Sequence, residues 1–295
     1  MTMIKEHRQS SPIRSAMQSS PERPQLTVVG VGDTERDDAA VAWAIAHAGQ
    51  HDVVHLVHAY LPLSLTECTW PPVVASRDAR RTAARVALAR VLQRTRERYP
   101  DVHVEGSVVA GLTADVLIEF SAIVDRIVVT EDHENASMLH QVAHRLAGTA
   151  RCPTVVIAPA FDPAGVTGTA PVTLLADSAV LPEAALQFAY AEAVREGVAL
   201  CVAQVWATWP DSCPITAETI AERQRLLDEQ LVRFEHPVGV LSQLIRDDID
   251  AAVAELRQAS STLVVSSGLG RLGLLTGPSA PGSAPLVVVP DLAER

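Results

Sequence analysis

The sequence is poor in lysine, in closely paired cysteines and in long apolar runs, and each shortage excludes a class of protein. Lys5 is the only lysine, so the folded part has no phosphate loop of the G-x-x-x-x-G-K-[ST] kind, which needs a lysine beside the phosphates. The four cysteines form no C-x-x-C pair. This spacing disfavours a zinc site or a disulfide framework, and it fits a reducing cytoplasm.

Membrane and nucleic-acid partners are also disfavoured. No apolar run approaches the roughly 20 residues that cross a bilayer, and the first residues lack the hydrophobic centre of a signal peptide. The net charge of -11 disfavours nucleic acid and anionic lipid, because such binding depends on Lys and Arg that neutralise phosphates. The sequence has no nucleophile elbow, kinase motif set or paired-cysteine redox motif. We therefore expect a cytoplasmic protein that is not an enzyme.

The stretch from residue 127 to residue 157 shows how the chain is built. A β-branched strand from Ile127 to Thr130 precedes a polar loop and an amphipathic helix from about Met138 to Ala150. A second β-branched run, Thr154 to Ile157, follows the helix-stopping Cys152-Pro153. Strands that alternate with helices and are almost continuously apolar predict a parallel sheet covered on both faces.

The pattern occurs twice. EAALQFAYAEA (183–193) overlays AAVAWAIAHA without gaps when Ala184 is set on Ala39, and later segments repeat in the same order. The sequence therefore predicts an internal duplication of about 140 residues per copy. The domains predicted from it are a disordered tail (1–24), a first domain (25–160), a Gly/Pro/Thr-rich linker (161–170) and a second domain (171–295).

The order of these segments resembles the tandem universal stress proteins (UspA-like family). The similar segments are VVGV before AAVAWA, the strand VHLVHAY, SVVAGLTADVLIEFS before IVV, and the ending AxCPTVVIAP. The resemblance implies two tandem doubly wound five-stranded parallel-sheet domains of the adenine nucleotide alpha hydrolase-like kind, in an α/β fold. It also implies that the last strands of the two halves pair antiparallel and form an intramolecular pseudo-dimer. These strand residues are Thr154, Val155, Val156, Ile157, Leu286, Val287, Val288 and Val289.

Family members with the ATP-binding pattern carry G-x-x-G-x9-G-[ST] after the fourth strand. Glycine is needed there because backbone N–H groups must approach the phosphates closely. In the first half the two leading glycine positions are Thr130 and His133, and three carboxylates lie in the same loop. These are Glu131, Asp132 and Glu134. Since no glycine lies between Gly111 and Gly148, we expect that the first half does not hold ATP.

The second half keeps more of the pattern. Its fourth strand is followed by a glycine-rich loop, and Asp177 occupies the position of the family's first-loop Asp. The glycine spacing differs from the family's, however, and the segment PSAPGSAP is interrupted by prolines that block a continuous helix. We expect a damaged site without a resident cofactor. The alternative is an ATP- or AMP-binding regulatory switch that uses Asp177, Ser267, Gly268, Gly270 and Arg271.

Two groups of histidines suggest other chemistry. His140 and His144 are four residues apart on one predicted helix with His133 upstream, which suggests a remote alternative, a metal-dependent enzyme. The sequence HQVAH lacks the general-base Glu of the zinc proteases, so we predict no metal site. At the end of the second strand, His58 is placed to pair with Asp33.

Two helices of the first half carry further expectations. Asp37 or Asp38 is placed to cap the helix that follows the first strand. The long predicted helix of residues 77–98 is rich in arginine around an apolar stripe. That stripe consists of Ala84, Leu88, Val91 and Leu92. We interpret its arginines as a solvated face, with a docking surface for an acidic partner as the alternative.

The expected function is that of a non-enzymatic universal-stress-type protein. It would act in the stress response through contacts with an unidentified protein partner. The pseudo-dimer could also associate further into a homodimer.

Overall fold

The computed structural model describes residues 23–32, 35–62, 73–131, 139–161, 168–178, 180–205, 216–234, 238–245, 249–270 and 282–291. The first half contains β1 (Leu26–Gly30), α1 (Asp38–Ala46), β2 (Val53–Tyr60), α2 (Val73–Arg98), β3 (Val104–Ala110), α3 (Thr113–Phe120), β4 (Arg126–Thr130), α4 (Leu139–Thr149) and β5 (Thr154–Ile157). The second half contains β6 (Val172–Ala176), α5 (Glu183–Glu196), β7 (Leu200–Val205), α6 (Ala217–Leu231), β8 (Val240–Ile245), α7 (Ile249–Ala259), β9 (Thr262–Ser266), α8 (Ser267–Gly270) and β10 (Leu286–Val289).

All ten strands lie in one sheet with the order β3-β2-β1-β4-β5-β10-β9-β6-β7-β8. Within each half the neighbouring strands are parallel, and the two halves meet where β10 pairs antiparallel with β5. Val287 lies opposite Val155 in that pair. The predicted fold class, with two doubly wound halves joined through their last strands, is confirmed. The junction removes two sheet edges, which would otherwise expose unpaired backbone groups.

The β-branched strands divide their side chains between two apolar cores, one on each face of the sheet. In β1, Val29 faces the core formed with α1, α2, α5 and α6, and Val28 faces the core formed with α3, α4, α7 and α8. Successive residues of a strand point to opposite faces, so runs of valine and isoleucine supply both cores. Helices in equivalent positions of the two halves therefore lie on the same face.

The helix α1 is buried along nearly its whole length, from Ala39 to Ile45. A helix that is apolar on every side packs inside a protein, because it has no polar face to present to water. It ends at Ala46. The ring of His47 stacks on Trp43 with 3.7 Å between centroids, and the His47 amide still bonds to the Trp43 carbonyl oxygen.

Two glycines meet local needs, one for space beside a side chain and one for backbone conformation. A Cβ at Gly30, at the end of β1, would lie 2.9 Å from a methyl group of the buried Leu117, so α3 packs closely only against glycine. Gly197 ends α5 with φ 69°, in the left-handed region that favours glycine. Both positions fix where helices meet the sheet.

Residues at the predicted domain boundaries contact the folded part of the chain. Phe161, placed at the start of the predicted linker, is buried in the core that contains α1. Arg23, in the predicted tail, donates a hydrogen bond to Asp125.

Candidate functional site

The two crevices where an open α/β sheet binds ligands lie at the carboxyl ends of neighbouring strands whose crossovers run in opposite directions. In the first half these strands are β1 and β4, and in the second they are β6 and β9. The residues that follow these strands occupy equivalent positions in the two halves. The chemistry of the site therefore depends on the side chains just after β1, β4, β6 and β9.

At the first crevice the carboxylate of Asp37 binds the loop that follows β1. It accepts a hydrogen bond of 2.6 Å from the backbone N–H of Gly32, and burial raises its pKa above the ordinary value for aspartate. The predicted capping role is wrong for this side chain: Asp37 stands at the N-cap of α1 but makes no capping hydrogen bond. Its oxygen binds a loop amide after β1, so this amide is already satisfied by the chain itself.

The predicted partner of His58 lies outside the described residues, since Asp33 is not among them. The His58 Nδ1 is 2.9 Å from the carbonyl oxygen of Val31. A carbonyl oxygen only accepts hydrogen bonds, so Nδ1 carries the proton of this bond. His58 thus holds the loop after β1 in place.

Glu131, the first carboxylate of the loop after β4, has a different role from the predicted one. Its side chain is only 4% exposed, and Oε1 lies 3.5 Å from Nη1 of Arg257, on α7 of the other half. Arg257 Nε also donates to the carbonyl oxygen of Ala284. Glu131 is therefore part of the junction between the halves. The loop residues Asp132, His133 and Glu134 lie outside the described residues.

In the second crevice, Asp177 directly follows β6 and is partly buried. The neighbouring loop is held by Gln204, at the end of β7, whose amide donates to the carbonyl oxygen of Ser178. Arg223 of α6 in turn donates through Nε to Gln204 Oε1 over 2.8 Å. Neither Gln204 nor Arg223 was predicted as a site residue, because their contact depends on how α6 packs beside β7.

The glycine-rich loop of the second half begins as the short helical turn α8, with Ser267, Gly268 and Gly270 inside it. Arg271 lies outside the described residues. Since Leu175 of β6 pairs with Val265 of β9, Asp177 and Ser267 follow adjacent strand ends. The structure thus brings these predicted site residues to one crevice.

Asp291, which follows the last strand, forms hydrogen bonds with Ser267 and Gly268 of α8. The Ser267 hydroxyl is 3.2 Å from its Oδ2, and the Gly268 N–H donates to the same oxygen over 3.4 Å. The Asp291 N–H donates back to the Ser267 hydroxyl oxygen over 3.1 Å. In the first crevice a carboxylate binds the amide of Gly32, and here a carboxylate again binds a loop amide. No sequence motif signalled Asp291, since it lies behind the proline-rich segment.

The predicted metal alternative stays a prediction. His133 and the side chain of His140 lie outside the described residues, and His144 is exposed on α4. Within the described residues a different cluster has ligand atoms within 4.8 Å of one another. It consists of His47, Glu192 and Glu196. Sequence patterns did not reveal it, because the histidine and the glutamates come from different halves.

This His47 cluster is an ion-pair network across the two halves. Glu192 is 95% buried at its side chain and lies 3.4 Å from Nη1 of Arg126 in the first half. Arg195 pairs with both Glu192 and Glu196. The two guanidinium groups balance the two carboxylates, so the cluster needs no metal ion for neutrality. Burial lowers the pKa of His47, and its Nδ1 lies 2.8 Å from the Trp43 carbonyl oxygen.

Fold and crevices define a class of protein: a tandem α/β protein with two doubly wound halves and one crevice at the strand ends of each half. Within the described part of the chain, no helix has the length and apolarity to span a membrane.

The sequence is similar to universal stress proteins over most of its length. It is 27% identical over 283 residues to a universal stress protein of Mycolicibacterium smegmatis, which covers 91% of this chain and 96% of that protein. It is 27% identical over 278 residues to one of Mycobacterium tuberculosis, with 87% of this chain and 91% of that protein covered. No protein-family model matches the chain.

Solved structures give the same result for the fold. A universal stress protein from Archaeoglobus fulgidus has a TM-score of 0.61 at 14% identity, covering 90% of this chain and 96% of that one. A putative universal stress protein from Pseudomonas aeruginosa has a TM-score of 0.52 at 14% identity, covering 91% and 93%. The resemblance to the universal stress proteins is confirmed, and the relatives support a stress-response role.

Proposed function

We propose that this chain is a non-enzymatic universal-stress-type protein that acts through protein contacts and holds no nucleotide in either half. The observation that supports the proposal is that the chain's own carboxylates bind loop groups at both crevices. Asp37 binds the loop amide of Gly32 in the first half. Asp291 binds the hydroxyl of Ser267 and the amide of Gly268 in the second.

Electrostatics supports this proposal. A phosphate placed about 4 Å from a carboxylate meets a repulsion of roughly 1 kcal/mol in water and about 4 kcal/mol near a protein surface. A nucleotide would also have to replace the hydrogen bonds that Asp37 or Asp291 now makes. The first half has the further handicap that no glycine lies between Gly111 and Gly148.

A second candidate function is an ATP- or AMP-binding switch in the second half. It is favoured by the exposure of Gly268 and by the longer hydrogen bonds of Asp291, 3.2 and 3.4 Å against 2.6 Å for Asp37. In this alternative the nucleotide displaces Asp291, and Asp177 contacts the nucleoside from the neighbouring strand end.

Chromatography of the supernatant from heat-denatured protein distinguishes the two candidates. Protein purified without added nucleotide should release no ATP, ADP or AMP under the proposed function. A stoichiometric nucleotide would favour the switch, and its loss in the Asp177→Ala variant would assign it to the second half. The exposed substitution Asp101→Ala serves as the matched control.

A further inference from the structure

The two ends of the ten-stranded sheet carry helices of opposite charge. At one end α2 packs on β2 and β3, and at the other α6 packs beside β8. Eight arginines and two acidic residues lie in α2, whereas four acidic residues and two arginines lie in α6. These helices occupy equivalent positions in the two halves, yet one is strongly basic and the other is acidic.

The outer face of α2 combines small side chains with unpaired positive charge. Its buried side is the predicted stripe, which includes Leu88 and Val91. On the opposite side, small or short side chains are exposed at helical spacing. These are Ala79, Thr82, Ala83 and Ala89, and the larger Val86 lies among them, 45% exposed.

Two exposed arginines, Arg85 and Arg90, flank this small-residue face. Among the described residues neither has an ion-pair partner, in contrast to Arg94, which pairs with Asp38 over 3.2 Å. Exposed arginines at a rim raise the association rate with a surface of opposite charge.

The outer face of α6 is opposite in charge to that of α2 and also exposes apolar side chains. Glu218, Glu222 and Glu229 are exposed on it, and Arg225 pairs with only two of the three. The apolar side chain of Leu226 on this helix is 42% exposed, and that of Val232, directly after α6, is 62% exposed. Large side chains on one helix fit between small ones on another, because small residues let helix axes approach closely.

We propose that copies of this chain associate end to end, with α2 of one copy packed against α6 of the next. The proposal rests on the proposed function, in which the chain acts through protein contacts. The contact joins two different surfaces, so it adds copies in a row unless the row closes into a ring. Because exposed charges set the contact, association weakens as salt shortens the Debye length.

Sedimentation velocity of the full chain tests this contact across protein concentration, at low and at high ionic strength. We expect species heavier than one chain at high concentration and low salt, with a return to one chain at high salt. Two reversed variants should stay single chains in all conditions. One is Arg85→Glu with Arg90→Glu, and the other is Glu218→Lys with Glu229→Lys.

A mixture of the two reversed variants provides the sharpest readout. In the mixture the unaltered α6 of one variant meets the unaltered α2 of the other, and the substituted positions also carry opposite charges, so association should return. The exposed reversal Arg151→Glu, on neither helix, should leave wild-type association unchanged. Single chains in every wild-type condition would overturn the proposal, as would reversed variants that associate alone or mixtures that do not. Association is measured without nucleotide, so its failure is distinct from a failure of the nucleotide-free proposal.

Discussion

In each half a carboxylate of the chain itself binds a loop group at the crevice, and the two carboxylates come from different parts of the chain. In the first half the carboxylate is that of Asp37, five residues after the amide that it binds. In the second it is that of Asp291, 24 residues after Ser267. The Asp37 bond is local and short, whereas the Asp291 bonds depend on how the chain returns to α8 after β10. The duplicated halves thus bind loop groups at equivalent crevices through different contacts, and the hydrogen bonds of Asp291 are the longer ones.

The largest expected effect comes from breaking the buried ion pair between Glu131 and Arg257. Arg257→Met leaves the buried Glu131 carboxylate without its guanidinium partner, and loss of one partner of a buried pair costs about 3–5 kcal/mol. Urea unfolding should show this loss in the free energy of unfolding.

Arg145→Met is the matched control, because Arg145 pairs with Asp115 at half-exposed positions, with side chains 43% and 47% exposed. An exposed pair contributes about 0–1 kcal/mol. Equal losses in the two variants would contradict a structural role for the Glu131–Arg257 pair.

A smaller effect should distinguish the Asp291 contact from the Asp37 contact, and it is a change in affinity for Mg-ATP. Asp291→Asn removes the negative charge beside Ser267 and Gly268, whereas Asp37→Asn removes the charge in a half without the glycine loop. We expect Asp291→Asn to bind Mg-ATP about tenfold more tightly than the wild-type limit, a gain of about 1.4 kcal/mol. Asp37→Asn should give no gain. Equal gains, or a gain for Asp37→Asn alone, would show that the two crevices are ranked wrongly.

The smallest effect is a pH dependence from Asp37. Burial raises its pKa above 3.8, so between pH 3.8 and the raised pKa the folded protein binds more protons than the unfolded chain. Its contribution to the unfolding free energy therefore falls as pH rises through that window. Asp37→Asn removes this dependence and keeps an oxygen that accepts from Gly32.

Urea midpoints measured across pH report this difference. The midpoint of Asp37→Asn, relative to wild type, should rise with pH above 3.8 and then level off. Parallel pH profiles for the two proteins would mean that Asp37 is not shifted by burial.

The fold was predictable from the sequence because each signal is local. Runs such as Ile127 to Thr130 favour buried parallel strands wherever they occur, and the repeat of Ala39 at Ala184 revealed the duplication. The antiparallel junction between β5 and β10 came from the family resemblance. No sequence signal marked the end of α1 at Ala46, where the His47 ring stacks on Trp43.

The carboxylate contacts at the candidate site were not predictable in the same way. Asp37 has the sequence context of a helix cap, and only the path of the loop after Gly32 turns its carboxylate back. Asp291 and Arg257 act on groups far away in sequence, so no spacing rule connects them with Ser267 or Glu131. Contacts of this kind depend on tertiary packing, which local patterns do not encode.

Calorimetric titration of the full chain with Mg-ATP tests the central claim most directly. If the chain's own carboxylates occupy both crevices, the heat of injection will equal the heat of dilution up to millimolar ATP. Saturable binding near one nucleotide per chain would contradict the claim and favour the nucleotide switch in the second half.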